Sequence, residues 1–403
     1  MFPDLAKSFV VAAVLAMAAM AAPLPLLGAE LSLTPGLAIK EEFNDNVFLD
    51  AGSRRTDYIT TVTPSLDFSG ADERRNITLS TGVNWLDYAR NAALNSVDFY
   101  AQGGLGYRLD PRLSLSAAAG YVRDSRPDRT DPDTGLALKT GSDRQTYQLS
   151  GNYAVTEKSN ATFSYAYSRE IYDNPGLLTT TVHTANLAQD YDLDRYLRRA
   201  RLVGSFSYSR DLTNVSQVDN YTGALGLVKK FDELWGISLN AGGRFTHSEF
   251  DVATLLSPTQ LVTSKAGSDG SGWIGNLSVN YSGERMTGAL SFRHDITTAS
   301  GRAGSTERTG VSTTASDRFT RELSGFFGLD YSWNRSEQNQ FAAQPIDEKN
   351  LTATGGLRYD FSEYVSLEGN YRYNNIHYSR SSSQASQNVF MLRLTMRRDV
   401  MDR

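Results

Sequence analysis

The stretch Asn76–Ala89, NITLSTGVNWLDYA, decides the fold. Ile77, Leu79, Thr81, Val83 and Trp85 fall on one face of it, and Thr78, Ser80, Gly82 and Asn84 on the other. A period of two is that of a strand with one apolar and one polar face. The pattern recurs. In WGISLNAGGRF, Trp235, Ile237, Leu239, Ala241 and Phe245 oppose Ser238, Asn240, Gly242 and Arg244. In WIGNLSVNY, Trp273, Leu277, Val279 and Tyr281 oppose Asn276, Ser278 and Asn280. Helical spacing of apolar residues does not recur anywhere after the N-terminal segment.

The strands read from this pattern are long. Many run about ten to fourteen residues, against roughly 5–6 in soluble sheets, and a tilted membrane-crossing strand needs about 9–11. The connections alternate in length. Short turns lie near Pro111, Glu157, Asp232, Glu284, Thr320 and Ser362. Longer polar segments start at Arg123, Asp251, Ile296 and Asn334. Short turns on one side and long loops on the other are the layout of an outer-membrane barrel. With the N-terminus periplasmic, every short turn falls on the periplasmic side. Strand cores start near Leu33, Asp57, Asn76, Ser96, Leu113, Arg144, Asn160, Thr181, Ala200, Val218, Trp235, Gly272, Met286, Thr309, Glu322, Asn350, Val365 and Gln387. The expected fold is therefore all-β: a transmembrane antiparallel up-and-down β-barrel of about eighteen strands, sixteen being the alternative.

Composition fits. Of 403 residues 40% are hydrophobic and the mean hydropathy is -0.39, values of a soluble chain. A barrel reconciles them, because only one face of each strand meets lipid and backbone groups pair between strands. The 21 tyrosines suit aromatic girdles at the two interfaces. The absence of cysteine excludes disulfides, thiolate metal sites and cysteine nucleophiles. A net charge of -5 offers no basic stripe for nucleic acid. At the N-terminus Lys7 precedes the apolar run SFVVAAVLAMAAMAA, then Pro23, Pro25 and LLGA. This is the layout of a secretory signal peptide over residues 1–29, cleaved after Ala29. The run falls short of the roughly 20 residues that span a bilayer. Residues 30–403 then form one outer-membrane barrel domain, closed by QNVFMLRLTMRR and followed by DVMDR.

The opening of that domain, EEFNDNVFLD, followed by RTDYITTVTPSLDFSG and NITLSTGVNW, resembles the putative β-barrel porin 2 family. The shared element is an aromatic-x-Asp-Asn at Phe43, Asp45 and Asn46, a Thr-Asp pair at Thr56 and Asp57, then Thr63 and Pro64. The resemblance implies an outer-membrane barrel, often associated with exopolysaccharide production or export. It implies no particular solute.

The acidic and histidine residues are the candidates for chemistry. His183, His247, His294 and His377 fall on well-separated strands, mostly on the outward side, so no rim constellation is expected. DRTDPDTG holds Asp128, Asp131, Asp133 and Gly135, but its spacing departs from the calcium-hand loop, and a solvated acidic loop is expected. No nucleophile elbow, P-loop or zinc-protease motif occurs. We expect no enzyme, no cofactor and no metal site.

Parity instead assigns a lumen lining: Lys40, Glu42, Asn84, Asp98, Tyr100, Gln102, Arg108, Arg144, Gln148, Asn152, Asn240, Arg244, Asn276, Asn280, Asp330, Arg358, Glu368, Asn370 and Arg372. Mixed charges with amides and a tyrosine suit neutral polyhydroxylated solutes. The first function expected is passage of polysaccharide or oligosaccharide across the outer membrane. A general small-solute diffusion porin and a plugged structural or surface-interaction barrel are the alternatives. The expected partners are outer-membrane lipid, lipopolysaccharide and the barrel-assembly machinery, with no nucleic acid.

Overall fold

The structure, a computed structural model, describes residues 30–257, 260–337, 342 and 345–401, the side chains of 252–263 excepted. The expected signal peptide lies outside the described residues. Eighteen strands follow in chain order. They are β1 (Glu30–Asn44), β2 (Asp57–Ala71), β3 (Arg75–Tyr88), β4 (Ser96–Arg108), β5 (Leu113–Asp124) and β6 (Ser142–Thr156). Next come β7 (Ser159–Tyr172), β8 (Thr180–Asp192), β9 (Ala200–Leu212), β10 (Ser216–Lys230), β11 (Trp235–Ser257) and β12 (Gln260–Ser282). The last six are β13 (Met286–Thr298), β14 (Ser305–Arg318), β15 (Leu323–Ser336), β16 (Ile346–Asp360), β17 (Val365–Tyr378) and β18 (Ser383–Arg397). Each pairs antiparallel with the next, and β18 pairs with β1 from Gly36↔Arg397 to Asn44↔Val389, which closes the barrel.

The register fixes the dimensions. Following paired residues once around the ring returns to β1 displaced by about 22 residues, the shear of the barrel. With strands ~4.8 Å apart and ~3.3 Å per residue, that shear requires a tilt of about 40° and a wall radius of about 18 Å. Trp235 and Phe245 are both exposed on the outer face of β11. At that tilt they lie about 25 Å apart along the barrel axis, the height of an outer-membrane apolar band. Leu225, Leu239, Leu290, Leu357 and Leu392 fill the band between such aromatics.

Two expectations are corrected at the rim. The segment from Asp251 to Gly272, expected as a loop, continues both strands, so β11 and β12 reach 23 residues each. Backbone pairing across this hairpin runs on to Ser257↔Gln260, and two-residue alternation is weak there because Ser and Gly dominate one strand. β13 pairs with β12 only between Gly275↔His294 and Ser282↔Thr287, so above that point β12 is held by β11 alone, while β11 stays paired with β10 up to Ser216↔Phe250. The second correction concerns the segment after Arg123. It does not stand in solvent but folds into the lumen, as described below.

At the turn rim the tail after β18 continues the seam. Arg398 N–H donates to Pro35 O at 3.3 Å and Val400 N–H to Leu33 O at 2.9 Å, which covers the start of β1.

Candidate functional site

Two observations define the lumen face. The residues of one parity include the exposed Trp85, Val97, Phe163, Leu187, Phe206, Leu225 and Trp273, which form the lipid-facing band. The other parity includes Glu42, Asn44, Asn334, Glu348, Asn350 and Gln387, all of which hold a segment that lies inside the barrel.

That segment is the connection 125–141. A bridge between Thr130 and Ala137 makes it a short hairpin, with Asp131 N–H donating to Leu136 O and Leu138 N–H to Arg129 O. The Asp131 carboxylate accepts the Asp133 and Thr134 N–H groups at 2.8 and 3.0 Å and so shapes its turn. Gly135, at φ +75°, sits at the tip; a Cβ there would approach Ser332 Oγ to 2.3 Å, so glycine is required for both backbone and space. The tip docks on β15 and β16: Asn334 donates to Thr134 O at 2.8 Å and Asn350 to Gly135 O at 3.1 Å. The hairpin leaves from β5 and β6 and ends half the ring away, so it crosses the lumen.

Its base is latched by charge. The Arg126 guanidinium donates to both Glu42 oxygens and to both Asp128 oxygens, the last at 3.0 and 2.9 Å. Asp128 also accepts Asn44 at 2.9 Å and Gln387 at 2.8 Å, and Lys40 reaches Glu42 at 3.0 Å. The Glu42 and Asp128 side chains are each only 3% exposed. Burial alone would push the Asp128 carboxyl up, but the Arg126 charge and hydrogen bonds outweigh it and hold it below the usual carboxylate range. Asp128 and Asp131 are therefore structural partners rather than a solvated acidic loop, and no metal-holding group exists among the described residues.

Apolar contacts finish the insertion. Leu136 packs with Ala299, Ala342 and Ile346, and Ala137 with Leu49, Ile376 and Ala385. The Ala137 N–H donates to the buried Glu348 at 2.6 Å, and Arg302 bonds both Ala137 O and Glu348. On the far side Ser305 of β14 donates to Asp211 of β9 at 2.8 Å, across strands not adjacent in the wall. Arg244 of β11 pairs with Glu307 of β14. Lumen-face residues at this end, including Ile59, Tyr88, Val218, Phe250, Thr306 and Val389, are buried. Towards the turn rim Asp67, Gln102, Ser116, Asn152, Arg393 and Arg397, on the same parity, are exposed. The lumen is thus exposed at the turn rim and filled around the inserted hairpin at the loop rim.

The ladder places all nineteen lumen candidates on this parity, but at different depths. Glu42 belongs to the latch, Arg372 lies in its electrostatic reach, and Arg144 pairs with Asp133 of the hairpin. Arg244 is buried in the closed end. Lys40, Asn84, Asp98, Tyr100 and Gln102 line one cavity of the vestibule. Arg108, Gln148 and Asn152 line another nearer the turn rim. Asn240, Asn276, Asn280, Asp330, Arg358, Glu368 and Asn370 lie on the wall from β11 to β17, where Arg358 bonds Asp360 and Asn370 bonds Glu368.

The histidines do not converge. His183 bonds Tyr165, His247 bonds Asp269, and His294 stacks on Trp273 with centroids 3.9 Å apart. The opening motif is a rim fastener. Asp57 accepts the Arg90 and Asn91 N–H groups and the Asn91 amide, tying β2 to the next loop. Asn46 bonds Asp50 and Ser386 O, and Asp45 bonds Asn388 on β18. Parity did not reveal the hairpin. Its one sequence signal is the apolar run Gly135–Leu138 inside an otherwise polar connection.

A closed, tilted, antiparallel barrel with an apolar outer band and a polar lumen defines a porin-like barrel of the outer membrane. Residues 31–207, from β1 into β9, match the family described as Putative beta-barrel porin 2, the family that the opening stretch resembles. No curated protein matches the chain. Among solved structures, the ferric-catecholate import receptor Fiu from E. coli K12 aligns at TM-score 0.49 and 8% identity, over 92% of this chain and 82% of that one. OccAB4 of Acinetobacter baumannii aligns at 0.45 and 10%, over 93% and 100%. The outer membrane protein opdK of Pseudomonas aeruginosa aligns at 0.46 and 12%, over 92% and 99%.

Proposed function

We propose that the protein is a hydrophilic-solute channel that passes oligosaccharide or polysaccharide outward from the turn-rim vestibule, and that the inserted hairpin is its gate. The observation that carries this reading is the polarity of the closure. Hairpin and wall are joined chiefly by ion pairs and hydrogen bonds from side-chain amides, which can exchange for water when the hairpin swings out. The signal peptide, cleaved after Ala29, would deliver the chain across the inner membrane for assembly by the barrel machinery.

The test is planar-bilayer conductance of the full barrel against one with residues 126–140 replaced by a short Gly-Ser linker. A nearly silent parent and a conducting deletion support the channel. A deletion variant that stays silent favours the plugged surface barrel, a reading the buried Leu136 and Ala137 contacts also suit. Loss of secreted polysaccharide on gene deletion, with normal small-solute uptake, separates export from general diffusion.

A further inference from the structure

One row of the wall carries an unexplained arrangement. Along the hydrogen-bonding direction Tyr100 pairs with Gly82, Gly82 with Ser65, Ser65 with Gly36, and Gly36 with Arg397. An aromatic ring and a guanidinium therefore stand at one height, about 19 Å apart along the wall, with only Gly, Ser and Gly between them. Tyr100 leans into that gap: a Cβ on Gly82 would come within 2.6–2.7 Å of its hydroxyl and ring. The ring therefore lies over Gly82 of β3 and lines the lumen cavity. The next lumen-facing row is small, with Asn84, Thr63, Ala38 and Thr395, and carries a carboxylate, Asp98, at its far end beside Asn84.

The other border of this bay is basic. Arg393 and Arg397 point from β18 into the same cavity as Tyr100, and Arg393 is paired in the ladder with Lys40. Like charges directly opposite each other repel. Neither arginine has an ion-pair partner among the described residues, although the barrel satisfies Arg126, Arg144 and Arg358 with carboxylates. Three carboxyls border the two arginines: Glu368, opposite Arg393 on β17 and accepting from Asn370; Asp399, which accepts from Ser32 and the Leu33 N–H; and Asp67 on β2, on the Tyr100 side of Gly36.

We propose that this bay is a subsite for an acidic sugar unit. The pyranose ring stacks on Tyr100 over the Gly82–Ser65–Gly36 floor, and its carboxylate meets Arg393 and Arg397. Aromatic faces take the apolar side of a sugar ring, and guanidinium binds carboxylate in a bidentate fork. The inference rests on the saccharide-channel reading and narrows its cargo to an acidic saccharide.

The test is calorimetric binding of tetragalacturonate and of neutral cellotetraose to the detergent-purified full-length barrel. The acidic tetramer should bind at least tenfold more tightly at low salt, with the preference fading as salt rises. Arg393→Gln with Arg397→Gln should abolish the preference, and the paired Lys replacements should keep most of it. Tyr100→Ala should weaken both tetramers at least fivefold. Heat-modifiable gel mobility like that of the parent shows that each variant is folded. Equal binding of the two tetramers, or a preference that survives the double Gln variant, overturns the acidic subsite. If only cellotetraose binds, and does so through Tyr100, the acidic inference fails while the saccharide channel stands. If neither binds, both fail.

Discussion

Arg126→Ala removes the one cation that lies between Glu42 and Asp128. Both carboxylates remain buried, each 3% exposed, and now face each other with only Lys40 bonded to Glu42 and the more distant Arg372 as counter-charges. Breaking a buried ion pair by deleting one partner costs about 3–5 kcal/mol. That cost falls on the closed state alone, because the swung-out hairpin places Asp128 in water. The closed-to-open ratio should therefore drop by roughly two to three and a half orders of magnitude. In planar bilayers the parent should open rarely and the variant should conduct most of the time. A control separates charge from shape: adding Glu42→Gln and Asp128→Asn to Arg126→Ala should return the barrel towards closure. pH gives a second reading. The Asp128 carboxyl is depressed in the closed state, so its contribution is fully present above its ordinary pKa of about 3.9 and is lost only as pH falls through the lower value. The parent should stay closed across pH 5–8. The Arg126→Ala channel should instead close progressively on acidification, as its stranded carboxylates take up protons. An Arg126→Ala barrel as silent as its parent, alongside a conducting 126–140 deletion, would refute the latch.

Three further outcomes are expected. Gly135→Val forces a β-branched side chain into φ +75° and against Ser332 Oγ, and should displace the hairpin tip by at least about 2 kcal/mol, read as protease cleavage within 126–140 of the folded barrel. Leu225→Arg places a charge on the lipid face of β10 and should cost about 2–4 kcal/mol in refolding into vesicles, while Gln148→Arg in the vestibule should be near neutral. Asp57→Ala strands the Arg90 and Asn91 N–H groups at the rim and should lower stability by about 1–3 kcal/mol, measured as a lower temperature for the heat-modified gel shift.

The barrel was legible in the sequence because lipid and water impose their own period. Trp85 and Leu239 must meet lipid while Asn84 and Asn240 must not, and that demand leaves a two-residue alternation that no loop imitates. The strand starts at Asp57, Ser96, Leu113, Ala200, Trp235, Met286 and Val365 coincide with those of the structure. Parity also placed single residues on the inner face. It could not say which of them meet. Tyr100 and Arg397 are nearly three hundred positions apart and share one row only through four successive registers, the last of them the closure of β18 on β1. The hairpin was illegible for another reason. Its surface is polar because its partners are polar, so Asp128 and Asp131 look like solvated acids until Arg126 and the turn amides are placed beside them. The β11–β12 extension left no alternation to read, since Gly267, Gly270 and Gly272 carry no side chain.

The short ladder between β12 and β13 has a mechanical consequence. Every other junction in the ring holds at least nine paired positions, and this one holds eight, while Asp295 to Thr298 have no strand beside them on that side. A closed ring loaded by heat or by stretch yields where it is least stitched. Amide hydrogens of β13 nearest the loop rim should therefore exchange with solvent first, and the cylinder should part along this line before any other.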